Sequence, residues 1–312
     1  MRVVVALGGN AILRRGEPMT VANQRASIAA ACRPLATLAV DNDLIVSHGN
    51  GPQIGLLALQ ADAYDEVSTY PFDVLGAQTE GMIGYLIEQE LGNQLGNDRP
   101  LATILTRTEV LADDPAFARP SKFVGPGYGP ERASELARER GWTVRQDGQH
   151  FRRVVASPTP QRILHLDPIR WLLSRRCIVV CAGGGGIPVT RDQASGIVTG
   201  VEAVIDKDLA SAVLARDIDA GLLIVATDVD GVYADWQLPT QRLIARAHPD
   251  ALDPSDFPAG SMGPKVEAAV LFARQGRGDA IIGSLDRFAQ MVNGAAGTRV
   301  SLDVSGIEYR DE

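Results

Sequence analysis

The chain has 312 residues, 45% of them hydrophobic and 22% charged, with a formal net charge of −8. That length allows one large α/β domain or two lobes, and the acidic balance argues against a general nucleic-acid or anionic-membrane surface. No apolar run approaches membrane-spanning length, and Cys32, Cys177 and Cys181 make no metal-type or redox spacing, so a cytoplasmic protein with reduced thiols is expected.

Residues 3–7 read as a first buried strand, broken at once by Gly8 and Gly9 ahead of Asn10. A strand running into glycines and then a helix is the general phosphate-cradle arrangement. The spacing is not GxGxxG and no Gly-Lys-Ser/Thr follows, which weakens the dinucleotide and Walker-type readings. Residues 21–40 read as a helix expected to kink or divide at Pro34. Residues 44–47 form a second strand that also ends in glycines, with Gly49, Asn50 and Gly51 after His48; Pro52 then suits a first helical position. Asp73 is expected to cap the next helix, whose apolar face includes Met82, Ile83, Leu86, Ile87 and Leu91, with Gly92 as its stop. Residues 102–106 are a third strand.

The texture changes over residues 113–160, which are dense in proline and glycine. This stretch carries a charged helix at 131–140 and a hairpin turning at Asp147-Gly148. It has little apolar material for a core of its own, so it reads as an inserted lid. After Pro168 the α/β rhythm returns. Residues 178–182 form a buried parallel strand ending in Gly183, Gly184, Gly185 and Gly186. Asp206 then reads as a helix cap, which puts Lys207 in the first turn, where a cation opposes the helix dipole. Lys207 there either binds a phosphate at the helix end or pairs with Asp206 and Asp208 on a wet surface. Residues 222–226 are a further strand, followed by Asp228, Asp230 and Gly231, whose spacing does not match a calcium loop. Lys265, after Met262-Gly263-Pro264, is a second first-turn cation, and two such lysines suggest one shared anion. Residues 280–282 and 300–302 close the sheet.

Alternating strands and helices imply a parallel sheet covered on both faces, with ligands at the carboxyl ends of the strands. The glycine turns after Leu7, Ser47 and Ala182 and the loop after Ala226 would gather on one edge, a suitable place for phosphoryl transfer. Such catalysis rests on positioning and charge neutralisation, so lysines and backbone amides matter more than a nucleophilic triad. His48 reads as a packing or hydrogen-bonding residue, and Lys122 is on spacing alone a solvated loop lysine. Asp208 is either a second carboxylate at a helix start or the group that orients the lysines.

The chain resembles the carbamate kinases, of the amino-acid-kinase superfamily, over essentially its whole length. The motifs that carry the resemblance are residues 4–12 (Val-Val-Ala-Leu-Gly-Gly-Asn-Ala-Ile), 47–53 (Ser-His-Gly-Asn-Gly-Pro-Gln), 183–188 (Gly-Gly-Gly-Gly-Ile-Pro), 201–208 (Val-Glu-Ala-Val-Ile-Asp-Lys-Asp) and 260–265 (Gly-Ser-Met-Gly-Pro-Lys). More specific are Lys-Phe-Val-Gly-Pro at 122–126 and Arg-Arg-Val-Val-Ala-Ser-Pro at 152–158. The resemblance implies a three-layer α/β/α sandwich with a mostly parallel central sheet and a small inserted lid subdomain at 113–160. Within one domain, an N-lobe of about residues 1–215 would take carbamate or carbamoyl phosphate and a C-lobe of about 216–312 the nucleotide.

It also implies the roles. Gly8, Gly9 and Asn10 would hold the transferring phosphoryl group, with Gly49, Asn50 and Gly51 around the carbamoyl part and Gly184 and Gly185 also binding substrate or phosphate. Lys207 and Lys265 would neutralise phosphate charge, Asp208 would orient them, and Lys122 would reach in from the lid. Thr227, Asp228, Tyr233, Met262 and Gly263 would line ATP or ADP, whose Mg2+ arrives with the nucleotide rather than in a protein metal site. Many relatives in the superfamily carry a lysine two residues before the first Gly-Gly; here that residue is Ala6. The expected activity is reversible phosphoryl transfer between ATP and carbamate, making ATP from carbamoyl phosphate in arginine breakdown, by a homodimer. The competing expectations are a relative with another small carboxylate or phosphonate acceptor, and a nucleotide-sensing protein without catalysis.

Overall fold

The computed structural model describes residues 1–14, 16–64, 70–96 and 98–310. The first apolar run forms β1 (Arg2–Leu7), followed by one turn of helix, α1 (Gly9–Ile12), and by α2 (Val21–Ala39). Thr20 caps α2 by accepting the Asn23 N–H at 3.2 Å. Of the kink or division expected at Pro34, the division does not occur: α2 runs through it as one helix. Burial of Ile28, Cys32 and Leu35 on the helix face outweighs the one backbone hydrogen bond that the proline removes.

β2 (Asp43–His48), α3 (Gly51–Tyr64) and α4 (Phe72–Leu95) come next. Asp73 is not the cap of α4: Pro71 occupies that position, and the Phe72 N–H is taken at 2.8 Å by Glu202, from far along the chain. Gly92 is not the stop either. The helix continues to Leu95, and Gly96 ends it, because the left-handed φ that a stop needs (63°) falls there.

β3 (Leu101–Ile104) and β4 (Arg107–Val110) lead into the insertion, built from β5 (Lys122–Tyr128), α5 (Pro130–Arg140), β6 (Val144–Asp147) and β7 (His150–Val155). These pair in the order β5-β7-β6, and β6 turns into β7 through Gly148, as the Asp147-Gly148 signal indicates. Residue 160 already belongs to the body: β8 (Pro160–Ile163) joins β11-β10-β4 in a small second sheet with β10 (Ile187–Arg191) and β11 (Val198–Gly200). The insertion is also less poor in apolar contacts than its composition suggests. Val124 and Val155 are buried in one cluster with Ile54, Phe72, Leu75 and Val204 of the body.

The rest of the chain supplies α6 (Leu166–Ser174), β9 (Ile178–Cys181), α7 (Lys207–Asp217), β12 (Leu222–Thr227), β13 (Tyr233–Ala234), β14 (Arg242–Ala247), α8 (Gly263–Ala273), β15 (Asp279–Ser284), α9 (Phe288–Val292), β16 (Thr298–Val300) and β17 (Ile307–Tyr309). The central sheet runs β13-β14-β16-β15-β12-β1-β2-β9-β3, with β17 paired to β14. From β15 through β12, β1, β2 and β9 to β3 every pairing is parallel. Alternate residues of each central strand therefore enter different cores. Val4, Ile45, Val179, Leu223 and Ile282 pack with α6, α7 and α8 on one face, while Val3, Val5, Val46, Val180 and Ile224 pack with α2 and α4 on the other. This is the expected three-layer arrangement. Among the described residues, no helix is long and apolar enough to cross a membrane.

Candidate active site

Parallel pairing of β12, β1, β2 and β9 brings their carboxyl ends, and the turns that follow them, to one edge. A Cβ added at Gly8 would lie 2.8 Å from the Ala226 carbonyl oxygen, so the first turn sits directly against the end of β12. One added at Gly49 would lie 3.9 Å from the Gly9 amide nitrogen and 3.5 Å from Cδ of Lys207. Gly183 faces the ring of His48, and Gly184 faces the amide of Asn50 too closely for any side chain. Cβ atoms at Gly9 and Gly51 would meet nothing within 4 Å, so these two glycines border open space. Asn10 Nδ2 donates to Asp228 Oδ2 at 2.7 Å, tying the turn after β1 to the loop after β12. Thr227 Oγ1 in turn donates to Asp228 Oδ1 at 3.3 Å.

Three lysines from three elements meet two aspartates on this edge. Asp206 caps α7: its Oδ1 accepts the Asp208 N–H at 2.9 Å and the Leu209 N–H at 3.3 Å. Its Oδ2 accepts from Lys122 Nζ, at the start of β5, at 2.6 Å. Asp208 is divided in the same way, with Oδ1 bonded to Lys207 Nζ and Oδ2 to Lys265 Nζ of α8 at 2.9 Å. The first turn of α7 is pinned in place by a hydroxyl relay, in which Ser47 at the end of β2 bonds Ser211 (2.6 Å) and Ser211 donates to the Lys207 carbonyl (2.5 Å).

The wet-surface alternative for Lys207 is thus excluded, since Lys207 and Asp208 are nearly inaccessible. Lys122 is not a solvated loop lysine either; its side chain is 32% exposed and ion-paired. Burial lowers the Lys207 pKa to about 8; Asp208 opposes that fall and Lys265 adds to it. Burial also disfavours charge on Asp206 and Asp208, but Lys122 beside the first and Lys207 and Lys265 beside the second hold both below the usual carboxylate range. Burial likewise opposes the charge on Lys122, and the Asp206 carboxylate outweighs it, raising the lysine pKa. The edge therefore holds buried cations only partly neutralised by carboxylates, with open space beside two glycines. Such a place favours an incoming polyanion.

The residues expected to line the nucleotide are distributed less tightly. Tyr233 stacks at a tilt on Trp236, centroids 5.1 Å apart, in the segment that follows β12. Met262 stands at the cap position of α8 and packs against the core, two residues before the helix proline. Gly263 is closely packed: a Cβ there would come 3.2 Å from the Phe257 carbonyl oxygen. Gly185, with φ of 91°, lies against Ile205 just before the Asp206 cap.

Sequence reasoning missed three participants. Asp206 reads from the sequence as a cap or a surface partner of Lys207, yet it also anchors Lys122 of the insertion. Glu80, in the middle of α4, is 1% exposed and accepts the Gly183 N–H through Oε1 and the Thr106 N–H through Oε2, both at 3.0 Å. Burial lifts its pKa to about 8 against the pull of those amides. Its neighbour Thr79 accepts from Asn50 Nδ2 at 2.9 Å. A carboxylate at a core position of an apolar helix face was the available signal. His48 is the packing residue expected: its Nδ1 lies 3.1 Å from the Gly49 carbonyl, and burial keeps the ring neutral with a pKa near 4.

A family model described as the amino acid kinase family matches residues 1–284. A carbamate kinase of Haemophilus influenzae is 54% identical over 309 residues, spanning 99% of this chain and 99% of that protein. One from Rhizobium meliloti is 53% identical over 313 residues, spanning 100% and 97%. Among solved structures, carbamate kinase from Giardia lamblia bound to AMP-PNP superposes with a TM-score of 0.86 at 35% identity, covering 96% of this chain and 98% of that one.

Proposed function

Because the chain belongs to the amino acid kinase family, in its carbamate kinase branch, we propose that the converging lysines and glycine turns carry out reversible phosphoryl transfer between ATP and carbamate. The observation that carries this reading is the pairing of Lys122, Lys207 and Lys265 with Asp206 and Asp208 beside the turns at Gly9 and Gly51. In the ATP-forming direction, the carbamoyl part of carbamoyl phosphate lies against Gly49, Asn50, Gly51, Gly184 and Gly185. The phosphoryl group rests over the amides of Gly8 and Gly9 and within reach of Asn10. ADP lies along Thr227, Asp228, Tyr233, Met262 and Gly263 in the C-lobe, opposite the N-lobe substrate.

During transfer, negative charge spreads over the equatorial oxygens of the phosphoryl group, and cations that are already in place stabilise it without reorganisation. Lys207 and Lys265 supply that charge from two helix starts, each held in aim by one oxygen of Asp208. Lys122 brings a third cation from the lid. It takes the place of the strand lysine that many superfamily members carry, since Ala6 is fully buried and has no charge to offer. Asp206 holds Lys122 on the site until an anion competes for it. Mg2+ carried by the nucleotide would neutralise its phosphate oxygens. The residues present fit an ion carried that way, because Asp206 and Asp208 already give their oxygens to lysines and backbone amides. Among the described residues no group of three or more His, Cys, Asp or Glu is placed to hold a metal.

The assembly we propose is a homodimer joined through the β3 edge. Among the described residues, β3 is the terminal strand of the sheet and pairs with a strand on one side only, β9. Beside it α4 exposes Met82 and Tyr85, the latter by 53%, and Leu105 is 55% exposed. An open groove of about 840 Å3, lined by Tyr85, Gln89, Asn93, Arg99 and Leu101 among others, runs along the same side, away from the lysines. Work in the cytoplasm on carbamoyl phosphate from arginine breakdown is the setting that the family membership supports. The test of the reaction is ATP formation from ADP and carbamoyl phosphate, run beside acetyl phosphate and acetylglutamyl phosphate. Preference for either comparison donor would overturn the acceptor assignment.

A further inference from the structure

The turns after β2 and β9 come from separate parts of the chain, yet both are tied to two consecutive residues of α4. Thr79 Oγ1 accepts the Asn50 amide and donates to the Gly76 carbonyl at 2.9 Å, so its one proton and one of its lone pairs are committed. Glu80 reaches the other way, taking the Gly183 N–H on one oxygen and the Thr106 N–H on the other. Thr106 extends the brace: its hydroxyl accepts the Ala182 N–H at 3.0 Å, and its carbonyl accepts the Ile187 N–H at 2.7 Å. The 182–186 turn needs such support. Ala182, Gly184, Gly185 and Gly186 all hold positive φ (53°, 65°, 91° and 83°), a run that the backbone does not keep unaided. Both α4 side chains are buried, Thr79 completely and Glu80 to 1% exposure, in a helix face that is otherwise apolar. Burying a carboxyl there is costly unless it does something that an apolar side chain could not.

We propose that Thr79 and Glu80 are positioning residues that set the 49–51 turn and the 183–186 turn against each other, and so give the carbamoyl pocket its width. This rests on the assignment of those turns to the carbamoyl part of the substrate. Neither residue touches substrate. Thr79 acts through Asn50, which packs directly on Gly184, and Glu80 acts through the Gly183 amide. Losing either tie loosens one turn and leaves the nucleotide loop after β12 untouched, because that loop is held by Asn10 and Asp228 instead.

The experiment is steady-state kinetics in the ATP-forming direction on full-length Thr79→Val, Thr79→Ser, Glu80→Gln and Asn50→Ala, with ADP and carbamoyl phosphate each varied. Val keeps the shape of Thr79 and removes the hydroxyl. Gln keeps the shape of Glu80 but turns an N–H2 toward one of the two backbone donors. The expected result is a rise of about tenfold in KM for carbamoyl phosphate in T79V and E80Q, the size of one lost buried hydrogen bond, with KM for ADP within about twofold of the parent. T79S, which keeps the hydroxyl, returns to the parent value. Hydrogen exchange should show faster exchange at the 183–186 amides in E80Q, with the β1 and β12 amides unchanged. An unchanged carbamoyl phosphate KM in T79V overturns the proposal while N50A still raises it. If N50A itself leaves that KM unchanged, the assignment of the turn fails, and the proposal fails with it. Equal rises in both KM values for T79V mean a general loss of structure and also overturn it. T79V decides the matter even if E80Q does not fold.

Discussion

At the scale of single residues, the cations are the parts with measurable consequences. Lys207 titrates near 8 rather than 10.5, since burial works against its charge. The group is a base with a depressed pKa, so its positive form dominates well below 8, is half lost near 8 and fades above it. A bound phosphoryl anion favours the charged form and moves the titration up. kcat/KM for carbamoyl phosphate should therefore fall above pH 8, while kcat holds to higher pH. A flat kcat/KM between pH 7 and 9 would remove Lys207 from the charge-stabilising set. Glu80 also titrates near 8, and E80Q separates the two: the alkaline limb should survive that substitution. For Lys122, K122A should lower kcat by roughly 10²-fold or more, the scale of one lost transition-state charge contact, with ADP affinity by calorimetry nearly unchanged. Equal loss of ADP binding would make Lys122 a nucleotide ligand instead. A lysine placed at Ala6 is not expected to rescue it. Ala6 is fully buried and pairs with Ser47, whose hydroxyl is committed to Ser211 of α7, so the new side chain would have to displace that helix.

At the scale of elements, the insertion is the part whose behaviour the structure revises. It is small and polar at its tip, but its base is anchored. Arg153 lies over the rings of Phe72 and Trp142, 4.8 and 4.7 Å from their centroids, joining a body side chain to an insertion side chain. Where β5 crosses α3, Gly55 meets Gly125 backbone to backbone, and a Cβ at Gly55 would overlap the Gly125 chain. Gly55→Ala should therefore push β5, and Lys122 with it, off the site. Alanine is the better helix residue by about 1 kcal/mol, so α3 itself gains. The expected outcome is a large loss of turnover with a melting temperature changed by only a few degrees; parent-like turnover would mean that the β5–α3 contact does not set the position of Lys122. Excision of the whole insertion is best made within residues 122–155. A cut at 113–160 would remove Pro160, the first residue of β8, and with it the pairing to Val110 of β4.

At the scale of the whole molecule, the question is what covers the β3 edge. Met82→Glu with Leu105→Glu puts two charges on the face assigned to the second copy, where desolvating them on assembly costs several kcal/mol. Sedimentation velocity should show the parent as a dimer and the double variant as a monomer, with far-ultraviolet circular dichroism unchanged. A dimeric double variant would move the interface elsewhere; a monomeric parent would end the proposal. Since the lysine cluster is assembled entirely from one chain, the monomeric variant should keep measurable turnover.

Much of this was legible from local patterns. Short β-branched runs ending in glycine locate β1, β2 and β9 because strand period and turn chemistry are properties of a few adjacent residues. Asp206 as a cap with Lys207 in the first turn is readable for the same reason, and the structure retains both. The division at Pro34, the cap at Asp73 and the stop at Gly92 failed because tertiary contacts decided them: burial across Pro34, a Glu202 carboxylate at the start of α4, and a left-handed turn only at Gly96. The pairing of charges lies furthest from the sequence. Lys122 meets Asp206 across 84 residues, and Lys265 meets Asp208 across 57. The role of Glu80 is set by Gly183, 103 residues on. Residue type and spacing say that a cation or a buried carboxyl is present; which partner it meets depends on the strand order β12-β1-β2-β9, and that order is fixed only when the two cores close on the sheet.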